Sequence, residues 1–238
     1  MKTHSLRRIL PPLILLIAIP LSVYLCARFD RKYYVGGSLV ILLTILAFFL
    51  RFEQRKPQAR ELVLLAVMSA LAVASRAVFA PLPHFKPMVG VIMLIGIVFG
   101  AESGFLTGAL SAFVSNFIFG QGPWTPWQMF AYGVAGLLAG CFARWGVLKQ
   151  APKKAVDFMV LGVFGFLTVA CVVGPLLDTC SLLTMASVIN PASVAAIYLS
   201  GLPINLMHGG ATAATLILAG KPLLEKLHRV QVKYGMMP

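Results

Sequence analysis

The chain has 238 residues, of which 59% are hydrophobic and 11% are charged, and its formal net charge is +13. A soluble domain carries about 25% charged residues, so this composition excludes a soluble globular protein and indicates a polytopic membrane protein. The basic residues lie mostly in short segments between apolar runs. We therefore attribute the charge to membrane topology and contact with lipid headgroups, and we expect no nucleic-acid partner.

Apolar runs dominate the chain and predict an all-α, polytopic helical membrane protein with about eight transmembrane helices. A spanning helix needs about 20 residues, so the fourth run is short for a full span. The eight predicted segments are residues 9–27, 34–50, 61–80, 88–101, 103–119, 126–146, 155–179 and 193–219.

Polar residues divide the chain into three parts. Residues 1–58 form a predicted transmembrane hairpin with almost no polar residue inside its helices. Residues 59–220 form a six-helix unit with polar residues at several membrane depths, which we predict to be the working unit of the protein. Residues 221–238 form a basic tail. Most of the 20 basic residues lie in segments that are cytoplasmic if both termini are cytoplasmic, and the positive-inside rule favours this orientation.

The stretch at residues 116–130, NFIFGQGPWTPWQMF, is predicted to be a tight turn between two helices, because Gly and Pro interrupt helices. We predict that Thr125 is the N-cap of the next helix and that Gln128 completes a capping box. Trp124 and Trp127 suit a membrane–water boundary. They are either plain interfacial anchors or part of a lid over a ligand.

Arg76 lies inside the third apolar segment, where a charged side chain is costly and normally has a partner or a water-filled cavity. It either extends to the membrane surface or holds a ligand, and Asp178 is the candidate counter-ion. Buried amide and imidazole groups either tie helices together or line a cavity. The predicted substrate-binding residues are Arg76, Asn116, Trp124, Trp127, Gln128, Tyr132, Asp178, Asn205 and His208.

Ala66, Ala70 and Ala74 recur every four residues and therefore share one helix face. Small residues on one stripe allow close approach of another helix. That helix belongs either to this bundle or to a separate membrane subunit, and both interpretations remain open.

Several catalytic signatures are absent from the sequence. It contains no GxxxxGK[ST], GxSxG or HExxH motif and no paired ligand spacing for a catalytic metal. We therefore expect no enzymatic activity, no metal site and no ATP hydrolysis by this chain itself.

Three stretches of residues 59–220 form a recognisable combination: ELVLLAVMSALAVASR, GIVFGAESGFLTGALSAFVSNFIFGQGPWTPWQMFAYGVAGLLAG and the closing amphipathic helix. On these stretches, residues 59–220 resemble the substrate-binding S component of an energy-coupling factor (ECF) vitamin transporter of prokaryotes. It implies a plasma-membrane protein that captures one vitamin at the outer face and has no cofactor of its own. It also implies two kinds of partner, a transmembrane T subunit and two cytoplasmic ATPases that use ATP.

The resemblance also assigns roles to residues. It implies that Ala66, Ala70 and Ala74 contact the T subunit. The GQGPWTPWQMF segment is similar to that of cobalamin-type S components, which favours cobalamin or a precursor as the vitamin. The hairpin at residues 1–58 departs from the family pattern. Two alternatives remain: a membrane-embedded enzyme acting on a lipid or isoprenoid, for which the sequence offers few acidic residues, and a solitary carrier.

Overall fold

The structure, a computed structural model, covers most of the chain. The first predicted segment, residues 9–27, lies outside the described residues apart from residue 21, and so does the basic stretch at 28–32. The described residues are 21, 33–54, 58–82, 85–152, 154–186 and 188–233.

Every described secondary-structure element is helical, which confirms the predicted all-α class. Seven of the predicted segments coincide with helices to within a few residues, and an eighth described helix follows them. The helices are α1 (Tyr33–Gln54), α2 (Ala59–Val78), α3 (Met88–Phe99), α4 (Ala101–Phe119), α5 (Thr125–Arg144), α6 (Ala155–Met185), α7 (Pro191–Leu218) and α8 (Gly220–Lys233).

The described helices confirm a polytopic membrane protein. Helices α1, α2 and α6 are long and apolar enough to cross a membrane, and α7 and α8 make a fourth candidate if they are taken as one bent span. Helix α3 has 12 residues, or about 18 Å, and is too short to cross alone. Helices α4 and α5 are long enough but less apolar, because they carry many small and polar residues.

Helices α3, α4 and α5 form the centre of the bundle through glycine contacts. Nearly all of α3 is buried. Gly104 of α4 lies against the backbone of Gly136 of α5, and Gly108 lies against the carbonyl of Tyr132. A Cβ atom at either glycine would meet backbone atoms at 2.7 Å or less, so only glycine permits this approach.

A single residue, Gly100, connects α3 to α4. Gly100 has a φ of 91°, a left-handed conformation that favours glycine. The GxxxG spacing of Gly96 with Gly100, Gly104 with Gly108, and Gly136 with Gly140 is visible in the sequence and typical of close membrane-helix packing. None of the predictions above was based on these glycine spacings.

Helix α2 has two different faces. One face, which includes Ala72 and Arg76, is buried against α4 and α3. The opposite face is exposed and carries Ala66, Ala70 and Ala74. Internal packing of the alanine stripe within the described bundle is therefore excluded.

Helix α1, the second helix of the predicted hairpin, packs on α5, α4 and α6. The Phe48 ring stacks on the Phe105 ring of α4 at a centroid distance of 3.9 Å. At the other end, the Tyr34 hydroxyl donates a hydrogen bond of 2.9 Å to the Pro123 carbonyl. This helix is therefore a packed part of the bundle.

Helix α6 contains a π-helical segment at Val169–Val173, immediately before Gly174 and Pro175. Proline has no N–H to donate to the helix, and a π turn is a common response to such a break. This irregular segment packs against α7, which carries two of the predicted site residues.

The predicted basic tail includes a helix. Helix α8 is bent by 64° from α7 and buries Leu224 and Leu227. Gln231 Nε2 donates a hydrogen bond of 2.9 Å to the Val98 carbonyl at the end of α3. The tail is therefore anchored on the bundle through α3, while its charged residues remain on the exposed side.

We expect Gly136→Ala to lower the free energy of unfolding by about 1–3 kcal/mol, because the new methyl group would push α5 away from α4. The control is Gly210→Ala, since a Cβ at Gly210 has no neighbour within 4 Å. Alanine is the better helix former there, so the control should be neutral or stabilising. Thermal unfolding in detergent would measure both, and equal effects would contradict the proposed contact.

Candidate ligand-binding site

Arg76, near the end of α2, is 7% exposed and turns into the bundle. Its Nη1 donates hydrogen bonds to Ser115 Oγ at 2.5 Å and to Asn116 Oδ1 at 3.0 Å. The guanidinium carbon lies 4.4 Å from the centroid of the Phe119 ring, in cation–π contact. Its buried Nε has no hydrogen-bond partner among the described residues. Arg76 therefore does not simply extend to the surface, and its partners in α4 are all neutral.

Asn116 connects Arg76 to the beginning of α5. Its Nδ2 donates to Gln128 Oε1 at 2.8 Å and to Thr125 Oγ1 at 3.2 Å. Helices α2, α4 and α5 thus meet in one hydrogen-bonded group, which we call the outer polar cluster. Its members are Arg76, Ser115, Asn116, Gln121, Thr125 and Gln128.

The turn between α4 and α5 supports this cluster. Gly120 has a φ of 102° and ends α4. The Thr125 hydroxyl donates to Gln121 Oε1 at 2.8 Å and accepts from the Gly122 N–H at 3.2 Å. The predicted turn is confirmed, and glycine is required at its first residue.

The predicted capping box is wrong. Trp124, not Thr125, is the N-cap of α5, and no side chain caps the helix. The side-chain oxygen of Gln128, Oε1, accepts a hydrogen bond from the side-chain amide of Asn116 and not from the backbone N–H that a capping box requires. A buried amide on the neighbouring helix competes for the same side chain, and sequence spacing within one helix does not reveal such a competitor.

The two tryptophans have different environments. Trp124 is 44% exposed, as an interfacial anchor would be. Trp127 is 5% exposed, and its Nε1 lies 3.3 Å from Ser38 Oγ of α1. Trp127 therefore faces α1, away from the outer polar cluster.

Asp178 does not act as the counter-ion of Arg76. Its Oδ2 accepts a hydrogen bond of 2.7 Å from Asn205 Nδ2, which joins α6 to α7. A Cβ at Gly201 would collide with this carboxylate, so the missing side chain makes room for it. Asp178 and Asn205 were both predicted as site residues, and the structure brings them together as a separate pair.

Tyr132 lies one helical turn after Gln128 on α5 and points toward α7. Its ring meets the His208 ring edge to face, with a centroid distance of 6.2 Å. Both residues are buried, at 1% and 7% exposure. Helix α5 therefore carries a member of the outer polar cluster and, one turn deeper, an aromatic contact with the helix that holds Asn205.

Lys86 lies in the connection between α2 and α3. Burial lowers the pKa of its ammonium group below the usual 10.5, and the nearby positive charge of Arg76 lowers it further. Lys86 is thus a second cation close to Arg76. Our candidate set did not include it, because its position beside Arg76 depends on how the connection folds back.

Prediction from residue type selected polar residues that the structure buries, but it did not predict which of them contact one another. Arg76, Asn116 and Gln128 are in direct contact, Tyr132 pairs with His208, and Asp178 pairs with Asn205. The predicted set did not include three residues of the outer polar cluster or its surroundings. Ser115 and Phe119 contact Arg76, and Gln121 accepts a hydrogen bond from the Thr125 hydroxyl. Their signal was their proximity to Asn116 in the sequence.

Comparison with known proteins identifies the family. A family model described as "ECF-type riboflavin transporter, S component" matches residues 56–229, about three quarters of the chain. No curated protein and no solved structure matches. The match supports the riboflavin type and gives no support to the predicted cobalamin type. The chain therefore belongs to the S-component family of ECF-type riboflavin transporters, as a multi-pass prokaryotic membrane protein and a transport subunit, not an enzyme.

Proposed function

We propose that this chain captures a flavin-type vitamin at the outer face of the membrane and delivers it inward with a T subunit and two ATPases. The observation that carries the proposal is the two-faced helix α2. Its buried face brings Arg76 into the outer polar cluster, and its exposed face presents three alanines. One rigid helix thus connects a candidate binding site to a candidate docking surface.

The outer polar cluster has the chemistry to bind a flavin. The flavin ring carries carbonyl acceptors and an imide N–H, and its ribityl chain carries hydroxyl groups. Arg76 and Gln128 supply donors, and the Gln128 Nε2 makes no hydrogen bond within the described residues. Amides offer both donors and acceptors, as a ligand with both requires.

The exposed face of α2 suits a membrane partner. Val63, Val67 and Leu71 flank the alanines and are 63%, 53% and 40% exposed. Alanines let another helix approach closely while the neighbouring aliphatic side chains pack around it. We assign this face to the T subunit. The ATPases supply the energy, because the sequence of this chain contains no P-loop.

Ala70→Trp should weaken assembly with the T subunit about 10- to 100-fold, because the indole would occupy the space of the partner helix. Vitamin binding by the isolated chain should stay unchanged, since Ala70 faces away from the bundle. Co-purification and uptake assays would measure assembly.

The matched control is Val163→Trp, which places the same bulk on an exposed position of α6. Normal assembly of the control with failed assembly of Ala70→Trp supports the docking face. Normal assembly of both variants would show that the T subunit binds elsewhere.

The purified chain should bind one flavin per molecule without ATP, and cobalamin should bind more weakly. Calorimetry with a vitamin panel measures this directly. Gln128→Ala should weaken binding about tenfold, the usual effect of one lost hydrogen bond to a ligand. Gln150→Ala, the same change in the exposed loop after α5, is the control.

Tight cobalamin binding with no flavin binding would restore the vitamin first favoured by the sequence. Transport by the reconstituted chain alone would instead indicate a solitary carrier. In either case the family assignment would remain, but the proposed substrate or mechanism would be wrong.

A further inference from the structure

Arg76 carries a buried positive charge that the described residues do not neutralise. Ser115, Asn116 and Phe119 contact it, and none of them is charged. Its Nε is buried and makes no hydrogen bond to any residue that the structure describes. A buried charge without a counter-ion is costly, so such a group normally has an anion beside it for at least part of its working cycle.

Lys86 increases this cost, because it places a second cation near the first. Like charges repel each other, and an anion bound at Arg76 would relieve that repulsion. The lowered pKa of Lys86, caused by burial and by Arg76, reflects the same arrangement.

The described carboxylates do not serve this purpose. Asp178 is hydrogen-bonded to Asn205. Asp157 pairs with Lys149 at the beginning of α6. Glu61 and Glu102 lie near the opposite ends of α2 and α4, about 20 Å from Arg76 and Asn116 along their helices. Glu53 lies about 28 Å along α1 from Tyr34, which contacts the α4–α5 turn, and Glu225 lies in α8.

We propose that the outer polar cluster, together with Lys86, binds an oxyanion, a phosphate or carboxylate carried by the transported ligand. Arg76 offers planar N–H donors suited to such a group, and Lys86 adds a point charge. This inference rests on the proposed function and narrows the substrate class to acidic forms of the vitamin, such as a phosphate ester.

The first experiment compares riboflavin with riboflavin 5′-phosphate, which differ only in the phosphate group. With protein purified in a maltoside detergent, we expect the phosphate ester to bind at least about tenfold more tightly, as a charge-assisted contact predicts. In Arg76→Gln and Lys86→Gln this preference should shrink toward unity. Arg144→Gln and Lys221→Gln, which alter exposed cations elsewhere, should keep it.

The variant Arg76→Lys tests whether misfolding explains a lost preference in Arg76→Gln. It retains the positive charge and should therefore keep part of the preference for the phosphate ester. Equal or weaker binding of the phosphate ester by the unaltered protein would overturn the inference. So would an equal loss of affinity for both ligands in Arg76→Gln, because Arg76 would then bind the neutral part of the vitamin.

A second readout separates this inference from the proposed function. Inorganic phosphate alone should raise the unfolding temperature of the unaltered protein but not that of Arg76→Gln. If phosphate stabilises the protein while no flavin binds, the anion site stands and the flavin proposal fails. If riboflavin binds but phosphate neither stabilises nor improves binding, the flavin proposal stands and the anion site fails. If only phosphatidylglycerol stabilises, the anion is a lipid headgroup and the assignment to the ligand is wrong.

Discussion

The close backbone contact between α4 and α5 determines the geometry of the candidate site. Gly104 lies against Gly136 and Gly108 against Tyr132, so the two helices run antiparallel in a fixed register. Continuing that register places Asn116 opposite the beginning of α5, where it meets Thr125 and Gln128. The side chains of Asn116 and Gln128 can hydrogen-bond to each other because the glycine contacts hold the backbones of α4 and α5 close together.

This contact also explains why α4 and α5, although 19 and 20 residues long, are not among the helices that are apolar enough to cross a membrane. Glycine contributes little hydrophobicity, but it permits the helix–helix packing on which membrane proteins depend. Association in lipid gains little from burying apolar surface, so close packing and hydrogen bonds must supply the stability. Helices α4 and α5 are thus held together by the glycine contact along their length and by the outer polar cluster where the turn joins them.

Sequence alone predicted the described helices α1 to α7 to within a few residues, and it selected several of the polar side chains that the structure buries. A charge or amide inside an apolar segment is conspicuous in any sequence, and Arg76, Asn116 and Asn205 were found in this way. Their partners were not predictable, because partner choice depends on the packing of helices distant in sequence. Arg76 was expected to pair with Asp178, yet the register of α2 on α4 brings it to Asn116.

Local rules failed where a distant group competed with them. Gln128 had the spacing of a capping residue, but Asn116 binds its side chain. Trp127 belongs to a residue type that is common at membrane–water interfaces, but α1 covers it. The GxxxG repeats show the opposite case, since their spacing is visible in the sequence and is typical of the close contact that the structure shows, although no prediction was based on it.

Helix α1 is a packed part of the candidate substrate-binding unit. It is joined to the bundle near both of its ends, through Tyr34 and Ser38 at the α4–α5 turn and through Phe48 at Phe105. Separation of α1 from the bundle would expose Trp127 and break these contacts. Helix α1 packs on α5, α4 and α6, whereas the three alanines lie on the exposed face of α2. This added helix therefore does not cover the proposed docking surface.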